Sequence, residues 1–396
     1  MSSNIPQFRN LQALKTAFKV QGVVQRYAWG KIGQDSRIAR FATDISADEP
    51  LAEYWLGVHE RGSARLVLPD GSVRELAELF PSEQPLPFLL KILSINQLSG
   101  LSIQSHPDKK LASELHRRFP EHYPDDNHKP ELGIALSPVE ILYGFKSIDA
   151  IRALLGKLPM VRDVFSESLN SALAEELLPH SEDIIKQAFA AVLRADSSLV
   201  KRTVHQILAT EPGRCIERDI IERIVKQHEE SDPGLLSITL MNVVTLSTGQ
   251  GIFIAPNVPH AYLSGDLIEC MACSDNVIRA GLTKKFRDID TLLDTCSYDV
   301  VGPPSLLSGV ADASGLHTYP VPVSDFQLGC IPYGGCGSFT DESKHRMLLS
   351  VDGASEIKNL DSGVTISLAD GEAALVVAGS GSYECHCTSG QLFVAS

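Results

Sequence analysis

Ala255-Pro-Asn-Val-Pro-His260-Ala-Tyr-Leu-Ser-Gly-Asp266, continuing through Leu-Ile-Glu269-Cys-Met-Ala-Cys273-Ser-Asp275-Asn-Val-Ile-Arg279-Ala-Gly-Leu-Thr-Lys284-Lys285, is the stretch on which the reading of this chain turns. Its Pro-x-x-Pro-His turn lies between strand-length runs and holds His260 at a fixed point, because each proline fixes φ. Before it, Ile238–Leu246 and Gly251–Ala255 read as strands with turn residues at 247–250. After it, Glu269–Cys273 reads as a strand, and from about residue 302 strand-length runs broken by glycine follow: Thr365–Ala369, Ala373–Ala378 and Gln391–Ala395. Short strands with regular Gly-rich turns predict a sandwich or jelly roll. Toward the N-terminus, Phe88–Ile95 and Leu101–His106 read as strands too.

The segment from Ile151 to about Glu230 has a different period. Ile184, Ile185, Ala188, Phe189, Val192 and Leu193 recur at helical spacing, with Ser181, Glu182 and Asp183 as a helix start. Ile220, Ile221, Ile224 and Val225 mark another helix, and Asp232-Pro-Gly234 ends the helical segment. The chain therefore reads as mainly β with a helical insertion inside the first of two β regions. At 396 residues it is long enough for two or three domains. With 35 Lys and Arg against 49 Asp and Glu, its net charge is −14, unsuited to general nucleic-acid or anionic-membrane binding. Its longest apolar runs are too short to span a bilayer and its start has no apolar signal core, so a cytoplasmic protein is expected. The eight cysteines read as buried free thiols, the Cys270-x-x-Cys273 pair included. A zinc ribbon needs a second such pair, and Cys385-x-Cys387 has the wrong spacing.

Three segments are rich in polar groups with no packing purpose. In Leu101-Ser-Ile-Gln-Ser-His106, a strand sets Ser102, Gln104 and His106 on one face. A polar cavity wall and a solvent-facing edge strand both fit that pattern. In Asp125-Asp-Asn-His-Lys-Pro-Glu131, Lys129 and Glu131 share a face, and His128 is a further candidate ligand or a plain loop residue. The opening stretch adds His260, Glu269, Asp275, Arg279, Lys284 and Lys285, whose cations suggest an anion site in an acidic chain. Two or three histidines, one or two carboxylates and a carboxamide suit one divalent metal, Zn²⁺ best and Fe²⁺ next.

Gln104-Ser-His-Pro-Asp-Lys109, Asp126-Asn-His-Lys-Pro-Glu131 and the long Pro259-to-Thr283 stretch together resemble type I mannose-6-phosphate isomerases (phosphomannose isomerases). Tyr27-Ala-Trp-Gly30 and Ala52-Glu-Tyr-Trp-Leu-Gly57 match that family as well, and the likeness runs from about residue 24 to 298. The resemblance implies two cupin-like β-barrels plus an α-helical domain: a catalytic barrel in two parts (1–148 and 233–301), helices over 149–232, and a C-terminal barrel over 302–396. It implies one Zn²⁺ per chain held by Gln104, His106, Glu131 and His260. It also implies interconversion of mannose 6-phosphate and fructose 6-phosphate, in carbohydrate metabolism leading to GDP-mannose. His128 drops out of the ligand set, and Lys285 rather than Lys284 is carried over.

Moving a proton between C1 and C2 passes through an enediol-like state with negative charge on oxygen, which a cation stabilises. As the family implies, Arg279 is the cation over the reacting end. Glu269, Lys129 and Asp275 are candidates for proton transfer or its support; Ser102, Lys91 and Lys285 are candidates for phosphate or sugar contacts. Glu53, Trp55 and His59 read as structural. A small phosphosugar is the expected partner, with no nucleic acid or membrane, and the chain is expected to be a monomer. An Fe²⁺ dioxygenase is disfavoured by Gln104 and the cation cluster, and a non-catalytic sugar-binding module would leave the ligand set idle.

Overall fold

The computed structural model describes residues 17–42, 45–68, 70–78, 80, 86–175, 181–299, 302–340 and 344–396. Strand His260–Ala272 is the spine of a ten-stranded sheet. Its first half pairs antiparallel with Val139–Phe145, Tyr143 opposite His260, and meets Ile103–Ser105 where His260 faces Gln104. Its second half pairs with Phe88–Ile95 on one edge and Glu131–Ala135 on the other, which sets Lys91 opposite Glu269 and Glu131 opposite Met271. Gly265 stands where the partners change. Its φ is +106°, and a Cβ there would lie 2.4 Å from the Pro138 carbonyl oxygen, so glycine is required.

The helices from Ile148–Lys157 to Gly234–Ser237 run between Val139–Phe145 and Met241–Leu246, two strands that pair directly with each other. Ile185, Phe189, Val204 and Ile221 bury their apolar faces against Ile103, Phe145, Ala261 and Ile278 of the strands behind the site. The β pattern returns at Met241, later than the expected Ile238, because Gly234–Ser237 forms a further helical turn. A continuous apolar run does not distinguish a buried helix from a buried strand.

A nine-stranded sheet mixes early and late chain: Ala17–Gln21 pairs with Ala373–Val376 on one side and Arg65–Val67 on the other. Both of its faces are apolar. Leu349, Leu375 and Phe393 pack against Leu90, Ile92 and Ile268 of the ten-stranded sheet. The alternate residues Leu348, Ala374 and Val394 pack against Ile357, Leu368 and Cys385 of a four-stranded sheet. The sheets are therefore stacked and are not the closed barrels expected. The nine-stranded sheet runs from Val310–Ala311 to Val73–Glu75 without its ends joining. The physical reason is that its two apolar faces are each covered by another sheet, so it has no need to curl around its own interior. The burial expected of the thiols fails at Cys336, which is exposed; Cys273 is half-buried and the other six are buried. Among the described residues, no helix is long and apolar enough to cross a membrane.

Candidate active site

His106, Glu131 and His260 arrive from three separate segments and are almost fully buried. Asp108 caps the helix Lys109–Arg118 by accepting from the Leu111 N–H, which fixes the chain just after His106. Asn257, in the Pro-x-x-Pro-His turn, donates its backbone N–H to the His106 carbonyl (2.7 Å) and its side-chain amide to Asp108 (3.1 Å). Its φ of 66° is a left-handed conformation that asparagine tolerates.

Each imidazole has its Nδ1 committed. That of His106 donates to the Asn276 carbonyl at 2.8 Å, and that of His260 to the Val258 carbonyl at 3.0 Å. A carbonyl only accepts, so each ring carries a proton on Nδ1 and turns Nε2 toward the site. The two Nε2 atoms lie 3.2 and 3.5 Å from the Glu131 carboxylate, another acceptor. Both Nε2 atoms and Glu131 Oε2 lack a hydrogen-bond donor. Burial, with Lys129 nearby, lowers His106 to about 4, so its ring is neutral. Burial would raise Glu131, but Lys129 and His106 outweigh it and hold the carboxyl well below its ordinary value. Three buried, unpartnered ligand atoms converging in this way, His106 Nε2, His260 Nε2 and Glu131 Oε2, fit one divalent cation. Gln104, buried and opposite His260 in register, lines the adjoining cavity.

That cavity, of about 1020 Å³, also exposes Lys129, Glu131, Lys91 and Glu269. Lys129 Nζ lies 2.5 Å from Glu131 Oε1, as their shared face predicts. Lys91 Nζ lies 3.6 Å from Glu53 and 3.4 Å from Glu269, above the Trp55 ring at 5.1 Å. Burial would lower Lys91, but Glu53 and Glu269 more than compensate and hold it above its usual value. Glu269 is pushed above the usual carboxylate range by burial and by the Glu131 charge. Glu53, Trp55 and His59, read from the sequence as structural, also line this cavity.

Arg279, in register with Gln104, and Lys285, Ser102 and Lys284 also line the wall of this cavity. Among the described residues, no ion pair engages Arg279 or Lys285. Lys285 Nζ sits 5.6 Å from the Tyr27 ring centre, and Asp288 and Asp290, the acidic residues that follow it in sequence, are engaged by Tyr123 and Arg194. Burial and the neighbouring Arg61 lower Arg279; burial, Arg279 and Arg61 lower Lys285. Crowded like charges of this kind favour an anion. Asp275 is occupied: Arg61 reaches it at 2.5 Å and His59 at 3.3 Å. Gly234 and Gly281 let the end of the helical segment meet this wall, since a Cβ on Gly281 would lie 2.6 Å from the Gly234 Cα. Asp232 then accepts the backbone N–H groups of Leu282 (3.0 Å) and Thr283 (3.2 Å). Arg61 and Asn276 were not singled out in the sequence: one is a lone loop arginine, the other acts through its backbone. His128, a candidate ligand by sequence, instead pairs with Asp325 at 2.9 Å.

Fold and site together define an enzyme class, with a dihistidine–carboxylate donor set opening on a cavity that also gathers Arg279, Lys284 and Lys285. The family description "Phosphomannose isomerase type I, catalytic domain" matches residues 17–148. The mannose-6-phosphate isomerase of Bos taurus is 35% identical over 92% of this chain and 92% of its own. That of Homo sapiens is 35% identical over 80% of this chain and 82% of its own. Among solved structures, a mutant phosphomannose isomerase from Salmonella typhimurium superposes with a TM-score of 0.81 at 27% identity, covering 96% of this chain and 98% of that one. A zinc-bound mannose 6-phosphate isomerase gives 0.80 at 27% identity, with the same coverage. The chain belongs to the type I phosphomannose isomerase family, and it is an isomerase.

Proposed function

We propose that this enzyme interconverts mannose 6-phosphate and fructose 6-phosphate with one Zn²⁺ held by Gln104, His106, Glu131 and His260. The observation that carries the reading is the convergence of the two Nε2 atoms on Glu131, all three presenting a buried atom without a hydrogen-bond partner while Lys129 holds the other carboxylate oxygen, beside a cavity lined by Arg279 and Lys285. When bound, the ion supplies Lewis-acid stabilisation of the negative charge that develops on the sugar oxygens. Glu269, raised above the usual carboxylate range, accepts and returns the proton exchanged between C1 and C2. Lys91 supports that carboxylate and Glu53; because two carboxylates already face its ammonium, we assign it there in preference to the phosphate. Lys129 supports Glu131, and Asp275 braces Arg61 and His59. Arg279 directs a planar fork at the adjacent oxygens of the enediol-like state. Ser102 and Lys285 take phosphate or sugar.

We read the helices over 149–232 as an insertion in a catalytic unit made of 1–148 and 233–301, followed by a C-terminal unit over 302–396, with the stacked sheets as opened cupin-like folds. Free cysteines support a reducing compartment, consistent with a cytoplasmic monomer. The experiment is a coupled isomerase assay on protein stripped by a chelator and then reloaded. Activity should disappear with the metal and return with one zinc per active chain; activity that survives complete stripping overturns the proposal.

A further inference from the structure

A second set of ligating side chains lies outside the active site. Strand Cys336–Phe339 is the edge of the four-stranded sheet and pairs with Tyr383–Cys387, so that Cys336 stands opposite His386. Opposed residues project from the same face, and Glu384, two positions from His386, joins them there. The same alternation sends Cys385 and Cys387 into the core. Cys336 Sγ lies 3.7 Å from His386 Nε2, which lies 3.1 Å from Glu384 Oε2. All three ligand atoms fall within 4.8 Å of one another. Tetrahedral zinc, with bonds near 2.3 Å to sulfur and 2.0–2.1 Å to nitrogen or oxygen, sets its ligand atoms about 3.6 Å (S to N) and about 3.3 Å (N to O) apart. The sulfur–nitrogen and nitrogen–oxygen spacings need only tenths of an ångström of adjustment, and the sulfur–oxygen spacing lies within 4.8 Å. Glu356, exposed, stands across from His386 on its other neighbouring strand, Ser355–Asn359.

We propose that Cys336, His386 and Glu384 form a second divalent-metal site, on the outward face of the C-terminal sheet and separate from the catalytic donors. One thiolate, one imidazole and one carboxylate select a borderline-soft cation such as Zn²⁺ over Mg²⁺ or Ca²⁺, which prefer all-oxygen shells. Water or Glu356 completes the fourth position. On binding, the Cys336 S–H bond is replaced by a bond from sulfur to the metal, and its proton leaves to solvent. The nine-stranded sheet lies between this face and the ten-stranded sheet that carries the active site, so loading here leaves the chemistry untouched.

The test titrates metal-stripped full-length protein with Zn²⁺ and with Co²⁺, following bound metal, the cobalt–thiolate charge-transfer absorption and isomerase activity. Wild type should take up a second ion that adds no activity, with a thiolate–cobalt band. Cys336→Ser should abolish that band and weaken the second site at least 10–100-fold, the range seen for even indirect ligand supports; His386→Gln should weaken it likewise. Both variants should keep wild-type activity. A wild type that binds a single ion, or a second site unchanged in Cys336→Ser, overturns the proposal. The result is independent of the catalytic assignment, because the thiolate band reports the cysteine-containing site alone.

Discussion

Asn276→Ala tests whether the loop behind His106 sets its metal affinity. The wild-type carbonyl of Asn276 accepts from His106 Nδ1 at 2.8 Å. Its buried side-chain amide donates to the Asp125 carbonyl (2.7 Å), the Asp125 carboxylate (3.0 Å) and the Asn127 carbonyl (2.9 Å). The Asp125 carboxylate also receives Ser274 Oγ–H at 2.8 Å and the Asp275 N–H at 2.7 Å, so the two loops are clamped together. Two amide N–H groups are lost on substitution. At a net 0.5–1.5 kcal/mol each, roughly 1–3 kcal/mol of loop anchoring goes with them. Loss of a partner that orients a metal-binding histidine costs on the order of 10–100-fold in metal affinity, about 1.4–2.7 kcal/mol, which matches. Zinc affinity, read by competition with a chromogenic chelator, should fall by that factor. Turnover at saturating zinc should be largely retained, since no reacting group is removed. Wild-type zinc affinity in Asn276→Ala would refute the reasoning, as would lost turnover in fully loaded protein.

Arg279→Lys should lower kcat by about 10²–10³ with KM changed less, because lysine keeps the charge and loses the fork; near-wild-type kcat in steady-state kinetics would remove Arg279 from the catalytic set. Mannose lacking the phosphate should react with kcat/KM lower by about 10²–10⁴, from two charge-assisted hydrogen bonds of about 1.5–3 kcal/mol each, and equal efficiency would refute the anion wall. Burial alone would raise Asp275, but His59 and Arg61 hold it well below its ordinary value. The stability that its ionisation contributes should be fully present above roughly pH 4, the unfolded-chain value, and fade as pH falls toward the folded-state value. Unfolding of wild type and Asp275→Asn compared from neutral to strongly acid pH tests this; a gap that stays constant would count against it.

Much of this was legible in the chain before the structure. Period and capping marked the helix Ser181–Leu193, and alternation set Lys129 beside Glu131. The Pro-x-x-Pro-His turn isolated His260. What stayed hidden depends on long-range pairing. Alternation tells which side chains point inward and nothing about closure, so barrels and stacked sheets read alike. Glu53 was taken as structural because its inward face could be told only once Phe88–Ile95 was known to lie beside it. Arg61 reaches Asp275 across a large separation in sequence, and Cys336 meets His386 only through strand pairing. Glu384 and His386 likewise share a face with Cys336 only through that pairing.

The strand His260–Ala272 carries His260 itself and draws its partners from four segments of the chain, of which Glu131–Ala135 brings Glu131, and Ile103–Ser105 brings Gln104 with His106 just beyond it. Between Glu131 and His260 in sequence lies the whole helical segment, closed off where Val139–Phe145 pairs with Met241–Leu246. Closing so long a loop costs entropy before any contact rewards it, and contacts of high sequence separation form slowly. No early fragment of the chain holds more than part of the donor set. A donor set so divided along the sequence comes together only as the sheet itself does.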